Sequence, residues 1–102
     1  MNQETCRVTV VLDDTWLALD ELCRMSGVTE LWVVQRMEAG LLAPAGVHAG
    51  EGPRFNADDL GRVRRMASLE RDFDAVPELA SLVVELEHEI AVMRERLRRL
   101  GG

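Results

Sequence analysis

Ser26-Gly27-Val28-Thr29 and Gly40-Leu41-Leu42-Ala43-Pro44 are the two stretches that decide the fold of this 102-residue chain. The first is typical of a turn between two short helices, because Gly27 tolerates a positive φ and Thr29 is a good N-cap. The second ends the following helix, since Gly40 suits the position after a helix and Pro44 prevents continuation. Two helices joined by a short glycine-containing turn form a helix-turn-helix.

The residues around these stretches extend the prediction in both directions. Helix one is expected over Asp20–Met25 with Asp20 as its cap, and helix two over Glu30–Ala39. Residues 7–12 alternate well enough for a short strand before helix one. Residues 43–56 contain too many glycines and prolines for a helix and have the right length for a wing hairpin, with Val47 and Phe55 in its strands.

A third helix is predicted from the cap residue Asn56 to about Asp74. Its arginines alternate with carboxylates, which favours a salt-bridged solvated face over a nucleic-acid surface. The residues expected to face inward are Leu60, Val63, Met66 (or Ala67) and Phe73.

A last helix is predicted from Pro77, which suits a first helical turn, to Leu100. Its apolar residues follow a heptad-like spacing with one four-residue stutter, so the helix is expected to pair with another helix. Acidic residues precede basic ones along it, which suits an antiparallel second copy of the same helix; the alternative is that the stripe covers its own head. The predicted dimerisation residues are Leu79, Leu82, Leu86, Ile90, Met93, Leu97 and Leu100.

These elements give a mainly α-helical chain with a winged helix-turn-helix head over residues 1–76 and a coiled-coil-type dimerisation helix over residues 77–102. Negative charge is concentrated in the head. Residues 1–59 hold ten carboxylates and four arginines, a net charge of −6, whereas the remainder is neutral. The chain contains no lysine.

The sequence resembles the head of the MerR-type winged-helix family. The resemblance rests on Gly27-Val28-Thr29, the Gly40–Pro44 segment ten residues later, Gly52-Pro53-Arg54-Phe55 and Asp59-Leu60. The β-like N-terminal run, short chain and terminal helix are more similar to the CbpM branch of chaperone modulators. That branch implies binding to the J-domain of a DnaJ/CbpA-type co-chaperone and inhibition of its stimulation of Hsp70.

The alternative is a MerR-type DNA-binding transcriptional regulator. In the MerR-type pattern, the positions aligned with Val34-Gln35-Arg36 usually hold an arginine followed by two aromatic residues that grip DNA. Here Val34 replaces the arginine. The acidic head also opposes DNA, because phosphate neutralisation supplies much of the affinity of DNA-binding proteins. A J-domain, whose second helix is basic in the resembled family, suits such a head better.

Helix two is the expected binding element, and Trp32 the candidate anchor on its outward face. The alternative is that helix two is rotated and Trp32 lies in the core. The other candidate partner-binding residues are Gln35, Arg36, Glu30, Glu38, Asp13 and Asp14.

Catalytic, cofactor-binding and metal-binding functions are not expected. The sequence contains none of the phosphate-loop, metalloprotease or nucleophile-elbow motifs, and its two histidines are isolated. Cys6 and Cys23 are too few for a disulfide framework, and we expect both to be reduced. No apolar run is long enough to span a membrane and the first residues do not resemble a signal peptide, so a cytoplasmic location is predicted.

Overall fold

The computed structural model describes residues 16–48, 50 and 52–101. Its elements are α1 (Leu19–Ser26), α2 (Glu30–Glu38), β1 (Gly46–His48), β2 (Gly52–Arg54), α3 (Ala57–Phe73) and α4 (Pro77–Gly101). This order confirms the predicted fold class, a mainly helical head with a small wing and a long C-terminal helix. The predicted strand over residues 7–12, together with Asp13 and Asp14, lies outside the described residues.

The helix-turn-helix forms at the predicted turn, with one correction at its start. Asp20 does not cap α1; it lies in the first turn, after the N-cap residue Ala18. The Ala18 N–H donates instead to Oε1 of Glu21 at 2.9 Å. Gly27 ends α1 at φ 77°, and the Thr29 hydroxyl accepts a hydrogen bond from the Trp32 N–H at 3.0 Å as the cap of α2.

The wing is an antiparallel hairpin in which Gly46 is opposite Arg54 and His48 is opposite Gly52. The prediction that Phe55 belongs to a strand of the hairpin is wrong, because β2 ends at Arg54. Phe55 pairs with Leu17 through two backbone hydrogen bonds of 2.7 and 2.8 Å, and its side chain is fully buried. The wing is therefore connected directly to the chain segment that enters α1.

Asp59 fixes the base of the wing to α3. Asn56 caps α3 as predicted, accepting from the Asp59 N–H at 2.9 Å. The buried Asp59 carboxylate accepts in return from the N–H groups of Asn56 at 3.0 Å and Ala45 at 3.2 Å. This reciprocal capping box satisfies the first turn of α3 and holds the residue just before β1.

The core consists of two clusters placed along α3. The first, in the head, consists of Leu17, Leu22, Cys23, Val33, Leu42, Phe55, Leu60 and Val63. The second joins α3 to α4 through Met66, Leu69, Ala80 and Val84. The prediction that Phe73 faces inward is wrong. Its side chain is 72% exposed, and Leu69 is the last buried residue of α3.

Helix α4 packs on α3 through small residues and leaves its large ones outside. Ala80, Ser81 and Val84 are buried, whereas the seven predicted dimerisation residues are each between 47 and 85% exposed. The alternative prediction, that this stripe covers its own head, is therefore wrong. None of the described helices is both long and apolar enough for a membrane-spanning segment.

A bidentate ion pair supports the α3–α4 contact. Arg65 donates from Nη2 and Nε to the two carboxylate oxygens of Glu87, at 2.8 and 3.0 Å. The hydrogen bonds from Arg65 hold the pKa of Glu87 below its usual value, and the same bonds raise the pKa of Arg65. Both side chains are about half exposed, so the pair contributes modestly to stability.

Two glycines provide a matched test of the turn. Gly27→Ala should lower the free energy of unfolding by about 1 kcal/mol or more, because alanine disfavours the φ of 77° found there. Gly61→Ala should raise it by about 0.5–1 kcal/mol, since Gly61 lies within α3 and an added Cβ meets nothing within 4 Å. Urea denaturation measures both; equal effects of the two substitutions would contradict the assigned turn.

The Glu87 pair predicts a pH dependence. Since the pKa of Glu87 is lowered in the folded state, its contribution is fully present above the ordinary carboxyl pKa and is lost as the pH falls through the lowered value. Glu87→Gln should therefore have a lower melting temperature than wild type at pH 7, and the difference should shrink as the pH falls below about 4 and vanish once the pH is below the lowered pKa. A difference that persists unchanged in acid would show that the pair is not responsible.

Candidate partner-binding surface

The orientation of α2 is set by a buried ion pair with α3. Arg36 is only 9% exposed, and its Nη2 lies 2.5 Å from Oε1 of Glu70. The same carboxylate oxygen accepts a hydrogen bond from Nε1 of Trp32 at 3.1 Å. The Arg36 guanidinium also lies over the Trp32 ring, 4.2 Å from its centroid. The three side chains thus form one contact between α2 and α3, which we call the α2–α3 triad.

The triad combines favourable contacts with a desolvation cost. A charge-assisted hydrogen bond and a cation–π contact both gain strength when water is excluded. Burying the two charges opposes them, and Nε of Arg36 and Oε2 of Glu70 have no hydrogen-bond partner among the described residues. The Arg36–Glu70 pair therefore determines the orientation of α2 on α3 more than it increases the stability of the fold.

This geometry corrects the prediction for Trp32 and Arg36. Trp32 was expected on the outward face of α2 and Arg36 among the partner-binding residues, yet Arg36 is buried with Val33 and Trp32 is half-buried. Trp32 packs against both core clusters. The alternative prediction, in which helix two is rotated and Trp32 lies in the core, describes this orientation correctly.

The face of α2 that points to solvent consists of other residues. Glu30, Leu31, Gln35 and Glu38 are exposed, and Val34 beside them is half-buried. Leu31 is 65% exposed, which makes it the large apolar side chain that this face presents. The sequence identified Glu30, Gln35 and Glu38 but missed Leu31. The spacing of Leu31 could have indicated its exposure, because Leu31, Gln35 and Glu38 lie on one side of a helix.

The outward face of α2, defined by Glu30, Leu31, Val34, Gln35 and Glu38, contains no positive charge. Arg36 is the single arginine of α2, and its guanidinium is directed to Glu70. The chain segment 43–56 that forms the wing contributes one arginine, Arg54. The outward face of α2, the element with which a helix-turn-helix meets a partner, is therefore acidic and apolar.

The described part of the chain was also compared with what a metal site or a reactive thiol requires. No group of three histidine, cysteine, aspartate or glutamate side chains lies close enough to hold a metal ion there. Cys23 is buried under α2, and burial, with the charges of Glu30 and Asp20, raises the pKa of its thiol. A thiol with a raised pKa is a poor nucleophile, so Cys23 acts as a small apolar core residue.

Comparisons with known proteins identify the family. A family model described as "MerR HTH family regulatory protein" matches residues 17–101. Over 76 residues, 74% of this chain, the sequence is 34% identical to the glyceraldehyde-3-phosphate:ferredoxin oxidoreductase of Pyrococcus furiosus. The match covers 10% of that protein, so this chain spans about a tenth of the length of the relative it matches. No solved structure matches the chain.

The triad predicts a non-additive mutant cycle. Glu70→Leu and Arg36→Met alone should each lower the free energy of unfolding by about 3–5 kcal/mol, because each leaves the other charge buried without its partner. The double variant should recover most of that loss, since two apolar side chains of similar size replace the pair. Chemical denaturation measures the cycle, and additive effects would contradict a coupled pair.

Proposed function

The chain belongs to the MerR helix-turn-helix family of regulatory proteins, and from that membership we propose that it regulates by binding a protein rather than DNA. The proposed partner is the J-domain of a DnaJ/CbpA-type co-chaperone. Binding occludes the J-domain surface that its Hsp70 partner needs, and so inhibits the co-chaperone. The protein acts in the cytoplasm by binding alone, without catalysis or a cofactor.

The observation that carries this proposal is the absence of positive charge from the outward face of α2. A helix that reads DNA places cations near phosphate, and much of the affinity comes from neutralising phosphates. In this chain the arginine of α2 is turned inward onto Glu70, while Glu30 and Glu38 are exposed. Such a face repels a polyanion and attracts a basic protein helix.

An apolar anchor on the same face supports a protein partner. Affinity at protein interfaces comes mainly from a few desolvated apolar or aromatic side chains, while surrounding charges steer the encounter. Leu31 is well exposed and lies between the two glutamates along the helix. We assign the anchor to Leu31 and the steering to Glu30 and Glu38. Trp32, with its indole N–H bonded to Glu70, is a positioning residue beneath them.

The proposal includes a homodimer formed through α4. The seven predicted dimerisation residues are exposed and make a continuous stripe on the side opposite the one buried against α3. An uncovered stripe of this length in a small protein indicates an interface. The acidic residues Glu85 and Glu89 precede Arg94, Arg96 and Arg99, so two antiparallel copies place opposite charges beside each other.

The second candidate function is a MerR-type DNA-binding transcriptional regulator. The family match and the wing hairpin favour it, because the fold alone does not distinguish the two functions. The charge of the outward face of α2 is what opposes it.

Two binding assays on the full chain test the proposal. We expect wild-type protein to bind the purified J-domain in a pull-down and to shift neither random nor promoter DNA in a gel at low salt. Leu31→Ala should weaken J-domain binding by about tenfold or more, because it removes the anchor. Reversing the charge of Glu30 and Glu38 should slow association and flatten its dependence on salt.

Val92→Ala is the matched control. Val92 is an exposed apolar residue of α4 outside the predicted dimerisation stripe, so this substitution should leave J-domain binding unchanged. Specific DNA binding without J-domain binding would reject the proposal in favour of the second candidate.

A further inference from the structure

Glu70 is the member of the α2–α3 triad that lies outside α2, and it binds the single cation of that helix. Its Oε1 accepts from Nη2 of Arg36 at 2.5 Å and from Nε1 of Trp32 at 3.1 Å. Arginine and other side-chain N–H donors hold the phosphate oxygens of DNA in the same way. Glu70 therefore occupies, from within the chain, the donors that a phosphate oxygen would use.

The Arg36 guanidinium lies at the boundary between the interior and the outward face of α2. Its Nη2 contacts Glu70, while its Nη1 donates to Oε1 of Gln35 at 3.3 Å. Gln35 is exposed and belongs to the outward face. Because arginine has a long and flexible side chain, its head group can move toward Gln35 while the helix keeps its place.

The negative charge of Glu70 is what keeps this guanidinium inside. A buried cation without a counter-charge is costly, and Nε of Arg36 already has no hydrogen-bond partner among the described residues. Without the carboxylate, the guanidinium gains hydration by moving out beside Gln35. Its aliphatic stem can stay packed near Trp32, because arginine buries its stem while its charge reaches water.

The position of this one guanidinium changes what the outward face of α2 attracts. With Arg36 held inside, the charged residues of this face are Glu30 and Glu38. With Arg36 released, a cation stands at the edge of the element that a helix-turn-helix brings to DNA. Neutralising a phosphate with such a cation releases counterions and favours DNA binding.

We propose that Glu70 is a specificity-determining residue. By holding Arg36 inside, it keeps DNA from the outward face of α2 and leaves that face to a basic protein. Glu70 acts through Arg36 and does not itself contact the partner. The choice of the J-domain as that protein rests on the proposed function, whereas the exclusion of DNA is measured without it.

The chain offers a matched control for the charge of Glu70. Glu87 also pairs with an arginine of α3, Arg65, but this pair joins α3 to α4 and is about half exposed. Glu70→Gln and Glu87→Gln thus remove the same charge from a paired carboxylate. The first releases a cation next to α2, whereas the second leaves α2 untouched. A difference between them cannot come from net charge alone.

Fluorescence anisotropy of a labelled random-sequence DNA duplex at low salt tests the proposal on the full chain. Glu70→Gln should bind the duplex about fivefold more tightly than wild type or better, while Glu87→Gln should not differ from wild type. Adding Arg36→Met to Glu70→Gln should abolish the gain, because the released guanidinium is then absent. A general loosening of the head would not be reversed by this second substitution.

Gln35→Arg tests the same edge without disturbing the buried pair. It places a guanidinium on the outward face while Glu70 still holds Arg36, and it should also bind the duplex about fivefold more tightly than wild type. Circular dichroism shows which variants fold. If Glu70→Gln does not fold, Gln35→Arg decides, and a folded Gln35→Arg chain without increased DNA affinity would overturn the proposal.

The remaining outcomes separate this proposal from the proposed partner. Equal gains in Glu70→Gln and Glu87→Gln, or a folded Glu70→Gln chain without any gain, would overturn the role of Glu70 alone. Wild-type protein that fails to bind the J-domain, together with a gain in Glu70→Gln that Arg36→Met abolishes, would reject the partner and support the role of Glu70. Wild-type DNA binding as tight as that of Glu70→Gln would reject both.

Discussion

The buried pair between Arg36 and Glu70 is the interaction on which the rest of this structure depends. It connects α2 to the middle of α3, and Trp32 shares its carboxylate while touching both core clusters. A helix of nine residues has little preference of its own for one rotation about its axis. A directional contact between charged groups supplies that preference, because only one rotation satisfies both guanidinium and carboxylate.

The rotation of α2 determines the chemistry of its exposed face. Directing Arg36 inward leaves Leu31, Glu30 and Glu38 in contact with solvent. The same sequence, turned so that Arg36 pointed outward, would present a cation to a partner and bury Leu31. The acidic composition of the head was visible in the sequence, but this local consequence depends on a contact between residues 34 positions apart.

Features that depend on near neighbours were predictable from the sequence. The cap residues Thr29 and Asn56, and Gly40 with its positive φ just after α2, each act within about four positions, so local chemistry identifies them. Phe73 was misjudged, and so was Glu70 as one of the α3 carboxylates expected on a solvated face, because the environment of both is tertiary. Glu70 lies among the alternating charges of α3 and resembles a solvated carboxylate, yet its partner Arg36 lies on another helix. Phe73 fits the apolar period of α3, but α3 ends there and no other element covers it.

Helix α4 has small residues on one side and large apolar residues on the other. The small side packs near α2, and the large side forms the proposed dimer interface. Ala80, Ser81 and Val84 are small, which allows close packing on Met66 and Leu69, whereas the leucines of the opposite side remain uncovered. Trp32 packs against the same cluster. A contact that stabilises α4 against α3 therefore also stabilises the base of α2.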